Sequence, residues 1–343
     1  MKQHIRALLK RGFQHAAANL GKHRFSLSDE PEMLILMYHR ILPADDPRLA
    51  FEEPGMAVTP ESFEQHLEAI KKEFEIVDLD DWVERRQTGQ SLPEKSCAIT
   101  FDDGWADNYE FAYPLLKKHG IPATIFLVAE MIGTDHKFWP ERVARLLVAV
   151  ARSCPEQWSH ASLDWIPRSG TDYAFDASQP DREQLSSIIG QCKHLDDDTL
   201  HRSIDVACEA LGRDISTEQA SLLDWSQVRE MADSGVIHFG SHTCTHARLN
   251  AQTPVHEMKH QVADSKAMLR DRLGVKAELF CFPNGDYTDE TLEFVIRHYN
   301  AAVTTARGWN VKSSDSHRLR RVGVHQDAAH DRTAFLACIS DWV

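Results

Sequence analysis

The sequence predicts an α/β fold in which βα units surround a mainly parallel sheet or barrel. Short β-rich runs alternate with helical patterns over most of the 343 residues, as is typical of such units. The hydrophobic content of 42% is sufficient to fill the core of one large domain. The alternation stops between residues 131 and 223, and we interpret that stretch as a largely helical insertion.

The predicted strands are seven short apolar runs with helices between them. They cover residues 33–38, 97–101, 123–128, 236–240, 279–282, 301–304 and 319–324. One helix is predicted to begin after Thr59, which can cap it, with Pro60 in its first turn, and to end at about Phe74. A second helix is predicted over residues 107–119, because glycine and proline follow it at positions 120 and 122.

The chain is predicted to consist of a basic helical segment at residues 1–30 and a main domain at 31–343, which carries the insertion at about 131–223. Basic residues interrupt the apolar residues near the N-terminus, so this segment does not have the pattern of a signal peptide. No later segment approaches the roughly 20 apolar residues that span a bilayer. We expect a cytoplasmic protein, with the basic segment packed against the domain or lying at the inner membrane face.

Composition argues against two classes of protein. A net charge of −14 argues against a broad phosphate-binding surface, so nucleic acid is not expected as the main partner. The seven cysteines are widely spaced and include no CxxC pair. The sequence therefore predicts neither a disulfide framework nor a thiolate zinc site, and a reducing compartment fits best.

Three of the predicted strands end in side chains that bind metals or move protons. The strand at 97–101 is followed by Asp102 and Asp103, the strand at 236–240 by a run that contains His242 and His246, and the first strand by His39. Strand ends are where α/β folds place functional groups. Two imidazoles and one carboxylate leave open positions on a zinc-like ion, and a second carboxylate is then available as a base.

Each of these motifs also has a purely structural interpretation. A DDG run at a strand end is typical of a turn with a capping aspartate, and HxxxH arises by chance in a chain with 19 histidines. Their joint placement after strands favours a metal site, because Gly104 and Gly240 allow the backbone to approach closely there. Cys244, between the two histidines, is interpreted as a small buried residue rather than a nucleophile.

The runs TFDDG at 100–104, SHTCTH at 241–246 and FPNG at 282–285 resemble the motifs of the polysaccharide deacetylases, a family of the carbohydrate esterase class. The run LMYHRI at 36–41 is similar to that of the exopolysaccharide-type members, in which the motif order is permuted. The resemblance covers about residues 33–130 and 222–324. It implies that the barrel is a distorted (β/α) barrel of the polysaccharide deacetylase type.

The resemblance also implies a role for each motif residue. Three residues would bind a divalent metal ion, expected to be zinc: Asp103, His242 and His246. Asp102 would be the catalytic base, and the backbone N–H of Asn284 would stabilise the oxyanion. His39 would be the general acid. His325 is the alternative acid, since most family members place this histidine near the C-terminal end.

One motif position departs from the family pattern, and two aromatic residues lie beside the motifs. Many members have an arginine two residues before the motif proline that orients the base, and this chain has Cys281 there. We therefore expect the base to be oriented by another residue, or to be less active. Trp105 and Tyr287 are candidate substrate-binding residues because aromatic faces stack on sugar rings, although single aromatics near a core are more often packing residues.

The resulting hypothesis is a metal-dependent hydrolase that removes N-acetyl groups from amino sugars of a polysaccharide or glycan precursor and releases acetate. Its expected partner is an N-acetylated glycan. Two alternatives stay open at this point. One is a metal hydrolase of another bond, such as an O-acetyl ester or a non-sugar amide, and the other is a glycan-binding protein without turnover.

Overall fold

The computed structural model describes residues 30–153, 160–166, 182–216, 221–251, 253–274 and 277–340. The chain divides into two compact units: the second contains Ala44–Met56 and Asp135–Ser221, and the first contains the remaining described residues. Residues 1–29 of the predicted basic segment lie outside the described residues, so its helical character stays a prediction. No helix in the described ranges is long and apolar enough to cross a membrane.

The described residues contain eleven strands. They are β1 (Glu32–Tyr38), β2 (Arg40–Ile41), β3 (Ala57–Val58), β4 (Glu75–Ile76), β5 (Lys95–Phe101), β6 (Ala123–Leu127), β7 (Ile237–Ser241), β8 (Leu279–Cys281), β9 (Ala301–Arg307), β10 (Asn310–Val311) and β11 (Leu319–Gly323). Seven of these are parallel neighbours in the order β1-β5-β6-β7-β8-β9-β11, and pairing of β11 with β1 closes the barrel. These seven are the strands that the sequence predicts, and the predicted barrel is confirmed.

The remaining four strands are two residues long and lie outside the closed barrel. β4 pairs in parallel with β5, and β10 pairs antiparallel with β1. β2 and β3 form a separate two-stranded sheet. Runs this short have no hydrophobic periodicity, which explains why the sequence does not predict them.

Twelve α-helices are described. They are α1 (Pro60–Glu73), α2 (Leu79–Gln87), α3 (Tyr113–His119), α4 (Trp139–Ser153), α5 (Arg182–Cys192), α6 (Asp197–Leu211), α7 (Trp225–Asp233), α8 (Val255–Met258), α9 (Ser265–Leu273), α10 (Asp289–His298), α11 (Gln326–Ala329) and α12 (Arg332–Ile339). The second unit contains α4, α5 and α6, which share an apolar core that includes Val143, Leu147 and Ile188. The predicted insertion also includes 154–159, 167–181 and 217–220, which lie outside the described residues.

Local sequence signals explain the two predicted helices. α1 begins at the predicted position, because the Thr59 hydroxyl accepts a hydrogen bond from the backbone N–H of Ser62. The region 107–119 is not one regular helix. A π-helical segment at Asn108–Ala112 precedes α3, and Gly120 ends α3 in the left-handed conformation with φ of 61°.

Two glycines lie where the barrel leaves no room for a side chain. A Cβ added to Gly104 would lie 2.8 Å from Cδ2 of Leu127, and one added to Gly240 would lie 2.6 Å from the Phe126 ring. The close approach predicted at these two glycines is therefore confirmed. It lets the DDG turn and the end of β7 pack directly against β6.

Candidate active site

The predicted motif residues meet at one end of the barrel. β1, β5 and β7 are parallel, so the residues that follow them lie at the same edge of the sheet. His39 follows β1, Asp102 and Asp103 follow β5, and His242 follows β7. The carboxylates and His242 are almost completely buried, with 2–4% of each residue exposed.

Asp103, His242 and His246 form a compact group of potential metal ligands. One ligand atom from each lies within 4.8 Å of the other two. Nε2 of His242 is 3.3 Å and Nε2 of His246 is 3.4 Å from Oδ1 of Asp103. The other carboxylate oxygen, Oδ2, accepts a 2.8 Å hydrogen bond from the indole N–H of Trp105. This bond directs Oδ1 toward the two imidazoles.

The donor set of this group suits a cation. Nδ1 of His242 lies 2.9 Å from the backbone carbonyl of Cys281, which can only accept, so Nδ1 carries a proton and Nε2 is the nitrogen available to a metal ion. Burial lowers the pKa of His246 to about 4, which favours its neutral form. Burial acts to raise the pKa of Asp103, but His242 and His246 hold it below its usual range. Burial acts to lower the pKa of His242, but Cys281 and the Asp103 and Asp102 carboxylates raise it overall, so a metal ion would bind Nε2 in exchange for a proton. One carboxylate and two imidazoles are a donor set that fits zinc.

The backbone is strained at this end of the barrel. Within the described ranges, four non-glycine residues have positive φ angles: Asp103 (74°), Thr243 (68°), His246 (61°) and Asn284 (55°). All four belong to the three motifs after β5, β7 and β8. Such conformations cost roughly 1–3 kcal/mol each and persist where surrounding contacts impose them, as in preorganised functional sites.

Arg321 on β11 holds the second carboxylate. Its Nη1 and Nη2 donate to the two oxygens of Asp102, each at 2.7 Å. Three further bonds use the rest of the guanidinium: Nε donates to the carbonyl of Thr304, Nη1 to the hydroxyl of Thr100, and Nη2 to Sγ of Cys281. All five N–H groups therefore have acceptors, and Asp102 is fixed in one orientation.

This arrangement explains the departure at Cys281. Asp102, the predicted base, is held by Arg321, a contact that the sequence analysis missed. Sγ of Cys281 lies 3.5 Å from Oδ2 of Asp102, beside the guanidinium. Burial acts to raise the pKa of Asp102, but the charge and hydrogen bonds of Arg321 lower it overall. Asp102 is therefore a carboxylate at neutral pH.

His39 lies next to Asp102, and its backbone is firmly held. Its Nε2 is 3.9 Å from Oδ2 of Asp102, and 20% of its side chain is exposed. The side chain of Asn108 donates to the carbonyl of His39 at 2.8 Å, and Asp107 accepts from the backbone N–H of Ile41 and from the Arg40 guanidinium. Residues that follow the DDG motif thus position the segment after β1.

The other predicted site residues lie in different surroundings. Asn284 is exposed in a 3₁₀ turn, Pro283–Gly285. Tyr287 is partly buried, with its ring centroid 4.8 Å from that of Phe282, and its substrate contact stays a prediction. Nδ1 of His325 lies 3.6 Å from a carboxylate oxygen of Asp327.

Trp105 is almost completely buried, and its predicted contact with substrate stays a prediction. Only 3% of Trp105 is exposed, and the guanidinium of Arg40 lies 4.1 Å from the ring centroid. Stacking on a sugar would require an open ring face. Through its bond to Asp103, Trp105 is also a positioning residue for the candidate metal ligand.

Gln261 holds the loop between the two histidines and was not singled out from the sequence. Its Oε1 accepts from the backbone N–H groups of Cys244 and Thr245, each at 3.0 Å. Its Nε2 donates to the hydroxyl of Thr245 and to Glu257. Gln261 belongs to a π-helical segment, Lys259–Asp264, and only 1% of it is exposed. Cys244 is completely buried beside it, in accordance with its structural interpretation.

Comparisons with known proteins agree with this geometry. The family model for polysaccharide deacetylase matches residues 89–194 and 201–301. YxkH of Bacillus subtilis (strain 168), provisionally named a polysaccharide deacetylase, is 25% identical over 300 residues, which are 87% of this chain and 73% of YxkH. A Staphylococcus epidermidis poly-beta-1,6-N-acetyl-D-glucosamine N-deacetylase is 32% identical over 112 residues, covering 30% of this chain and 38% of that enzyme.

A solved structure has the same fold. The Streptococcus pyogenes deacetylase PplD, determined in complex with acetate, superposes with a TM-score of 0.57 at 19% identity. The superposition covers 90% of this chain and 99% of PplD.

Proposed function

This chain belongs to the polysaccharide deacetylase family, and we propose that it is a metal-dependent N-deacetylase of amino sugars in a polysaccharide or glycan precursor. Members of this family are hydrolases of the carbohydrate esterase type that act on N-acetyl amide bonds. The observation that carries the proposal is the separation of two neighbouring aspartates. Asp103 faces the two histidines, whereas Asp102 is held by Arg321 beside His39. One carboxylate is thus available to bind a metal ion and the other to move a proton.

The roles of the side chains follow from their protonation. A zinc ion held by Asp103, His242 and His246 would polarise the acetyl carbonyl and acidify water. Asp102, ionised at neutral pH, accepts the proton of the attacking water. His39 donates a proton to the departing amine, and the backbone N–H of Asn284 stabilises the negative oxygen. The products are acetate and a free amino sugar.

The substrate class is supported by the named activity of the staphylococcal relatives. These enzymes act by name on poly-β-1,6-N-acetyl-D-glucosamine, and the matching region covers about a third of this chain. We propose an N-acetylglucosamine-containing glycan as the substrate of this chain. The expected metal is zinc, because the donor set of one carboxylate and two imidazoles suits it.

Acetate release tests this proposal directly. The protein is incubated in parallel with N-acetylglucosamine oligomers and with an O-acetylated glycan, and acetate is measured. We expect acetate from the N-acetylated substrate, loss of activity after chelation, and recovery on addition of Zn²⁺. Release from the O-acetylated glycan alone would identify an esterase. Glycan binding without release of acetate from either substrate would identify a binding protein.

A second experiment separates the proposed metal ligands from the base. Alanine at Asp103, His242 or His246 should lower metal content and activity together, since one of three protein ligands is lost. Asp102→Asn should keep near-normal metal content while activity falls by roughly 10²–10⁴, as is typical for a general base. Metal analysis and acetate release are measured on each variant. Equal metal loss in all four would contradict the assigned roles.

A further inference from the structure

A cavity of about 200 Å³ lies at the opposite end of the barrel from the candidate active site. It is lined by the first residues of β6, β7 and β8 and by the first turn of α2. Four polar residues line it: Asp80, Thr124, His238 and Glu278. Ile237 and Leu279 contribute apolar walls. The cavity therefore has one charged side and one apolar side.

The charges around this cavity are unbalanced. In the parts of the chain that the structure describes, the carboxylate of Asp80 makes no hydrogen bond or ion pair. Burial, followed by the nearby charges of Asp78 and Glu278, raises the pKa of Asp80 to about 6. Lys266 bonds to Glu278 at 2.6 Å, and His238 lies 3.7 Å from Asp78. His238 also acts to lower the pKa of Asp80 but forms no ion pair with it, so Asp80 is the one of these three carboxylates without an ion pair in the described residues.

Thr124 provides an independent sign that a ligand belongs here. It is 1% exposed and lines the cavity, yet its Oγ1 is buried and makes no hydrogen bond. Leaving a buried hydroxyl unpaired costs roughly 1–3 kcal/mol, and native structures seldom contain such groups without a partner. A ligand with an N–H donor would satisfy this hydroxyl and the Asp80 carboxylate.

We propose that this cavity binds a small primary ammonium compound, with its charged nitrogen at Asp80 and Thr124 and its alkyl part against Ile237 and Leu279. A directly coordinated metal ion fits less well. The groups of potential metal ligands that lie within 4.8 Å of one another in the described residues include no residue of this cavity. The apolar wall also offers nothing to a metal ion, whereas a short carbon chain gains contact there.

Titration of the full chain with ethylammonium chloride, followed by ligand-observed NMR, tests this site. We expect saturable binding with a Kd on the order of millimolar, because so small a ligand makes few contacts. Asp80→Asn should weaken binding at least about tenfold, and Thr124→Val should weaken it to a smaller extent. Asp81→Asn is the matched control, since Asp81 is the next residue of α2 and pairs on the surface with Arg85.

Several outcomes would overturn the proposal. They are the absence of ethylammonium binding to the unaltered protein, equal binding by Asp80→Asn and Asp81→Asn, and equally tight binding of the uncharged ethanol. Binding of Mg²⁺ that depends on Asp80 and that ethylammonium does not displace would show that the ligand class is wrong. Melting temperatures of all variants verify that each is folded when binding is measured.

Discussion

At the scale of single residues, the pair formed by Asp102 and Arg321 determines how the proposed base is held. Both side chains are almost inaccessible, at 3% and 0% exposure, and the guanidinium bonds to both carboxylate oxygens. A buried carboxylate that loses its guanidinium partner is destabilising by about 3–5 kcal/mol, because its desolvation is no longer compensated. The pair therefore affects both stability and proton transfer.

We predict that Arg321→Met lowers the free energy of unfolding by about 3–5 kcal/mol and reduces deacetylation strongly. The pKa of Asp102 should rise, because burial then acts without the opposing guanidinium. The acidic limb of the pH–rate profile should consequently move to higher pH. Denaturant unfolding and pH-dependent acetate release measure these effects.

Two controls accompany this variant. Arg320→Met changes the exposed neighbour on the same strand and should leave both properties nearly unchanged. Combining Arg321→Met with Asp102→Asn removes both charges, so it should recover part of the stability without recovering activity. If the Arg320 and Arg321 variants have the same stability and the same pH–rate profile, the pair of Arg321 and Asp102 determines neither property.

The sequence contained a signal for Arg321, but an incomplete one. Consecutive residues on a strand face opposite sides, so one of Arg320 and Arg321 had to enter the barrel. Which of them does so depends on the register of β11 with β9, and that register shifts between Leu319 and Arg321. Metal-ligand motifs are local in sequence and were predicted from it. The pairing of Arg321 with Asp102, 219 residues away, depends on tertiary structure.

The assignment of His39 as general acid leads to a prediction about leaving groups. An amine must be protonated to leave a tetrahedral intermediate, whereas an aryl-acetate phenolate leaves as the anion. His39→Ala should therefore lose most N-deacetylation while retaining much aryl-ester hydrolysis, and acetate and phenol release measure the two activities. His325→Ala serves as the comparison. Selective loss in the His325 variant instead would place the acid near the C-terminal end.

At the scale of secondary-structure elements, two π-helical segments support the loops of the candidate site. Asn108, in the segment after the DDG motif, holds the backbone of His39. Gln261, in the segment between α8 and α9, holds the loop between the two histidines. A π-helical turn shifts the direction of side chains relative to a regular helix and is common at functional sites. The 3.6-residue periodicity used to predict helices does not distinguish such turns.

Gln261→Leu should weaken metal binding by roughly 10–100-fold, since residues that orient ligand loops have effects of this size. The substitution leaves the N–H groups of Cys244 and Thr245 without their acceptor, so the position of His246 is less well fixed. Competition with a chromophoric chelator measures the metal affinity. Lys259→Ala changes an exposed residue of the same π-helical segment and should leave the affinity unchanged. Equal affinities for the two variants would rule out this positioning role.

At the scale of the whole barrel, closure brings the two ends of the described chain together. β1 lies between β5 and β11, and α1 contacts the helices that follow β11. Hydrophobic runs predicted all seven barrel strands, because each run reports the burial of its own residues. They did not predict which strands are neighbours, since pairing and register depend on long-range packing.

His66 of α1 links these parts of the fold. It is completely buried, with Nδ1 3.2 Å from the hydroxyl of Tyr38 and Nε2 2.6 Å from the carbonyl of Ala329. Its ring stacks on Phe335 of α12 at a centroid distance of 4.1 Å. Burial lowers the pKa of His66 to about 4, so the folded protein keeps this imidazole neutral.

This burial predicts a loss of stability in mild acid. Between pH 6.5 and about 4, the unfolded chain binds a proton at His66 that the folded chain does not, so the free energy of unfolding falls as the pH falls. The contribution reaches about 3 kcal/mol at pH 4. His66→Gln should be less stable at pH 7, because it loses the stacking contact, but should show a shallower decrease between pH 7 and 5. Urea unfolding across this range measures how the free energy of unfolding changes with pH. His256 is exposed, so His256→Gln should show the same pH dependence as the unaltered protein. The same pH dependence in the unaltered protein, His66→Gln and His256→Gln would show that His66 does not control the acid sensitivity of the fold.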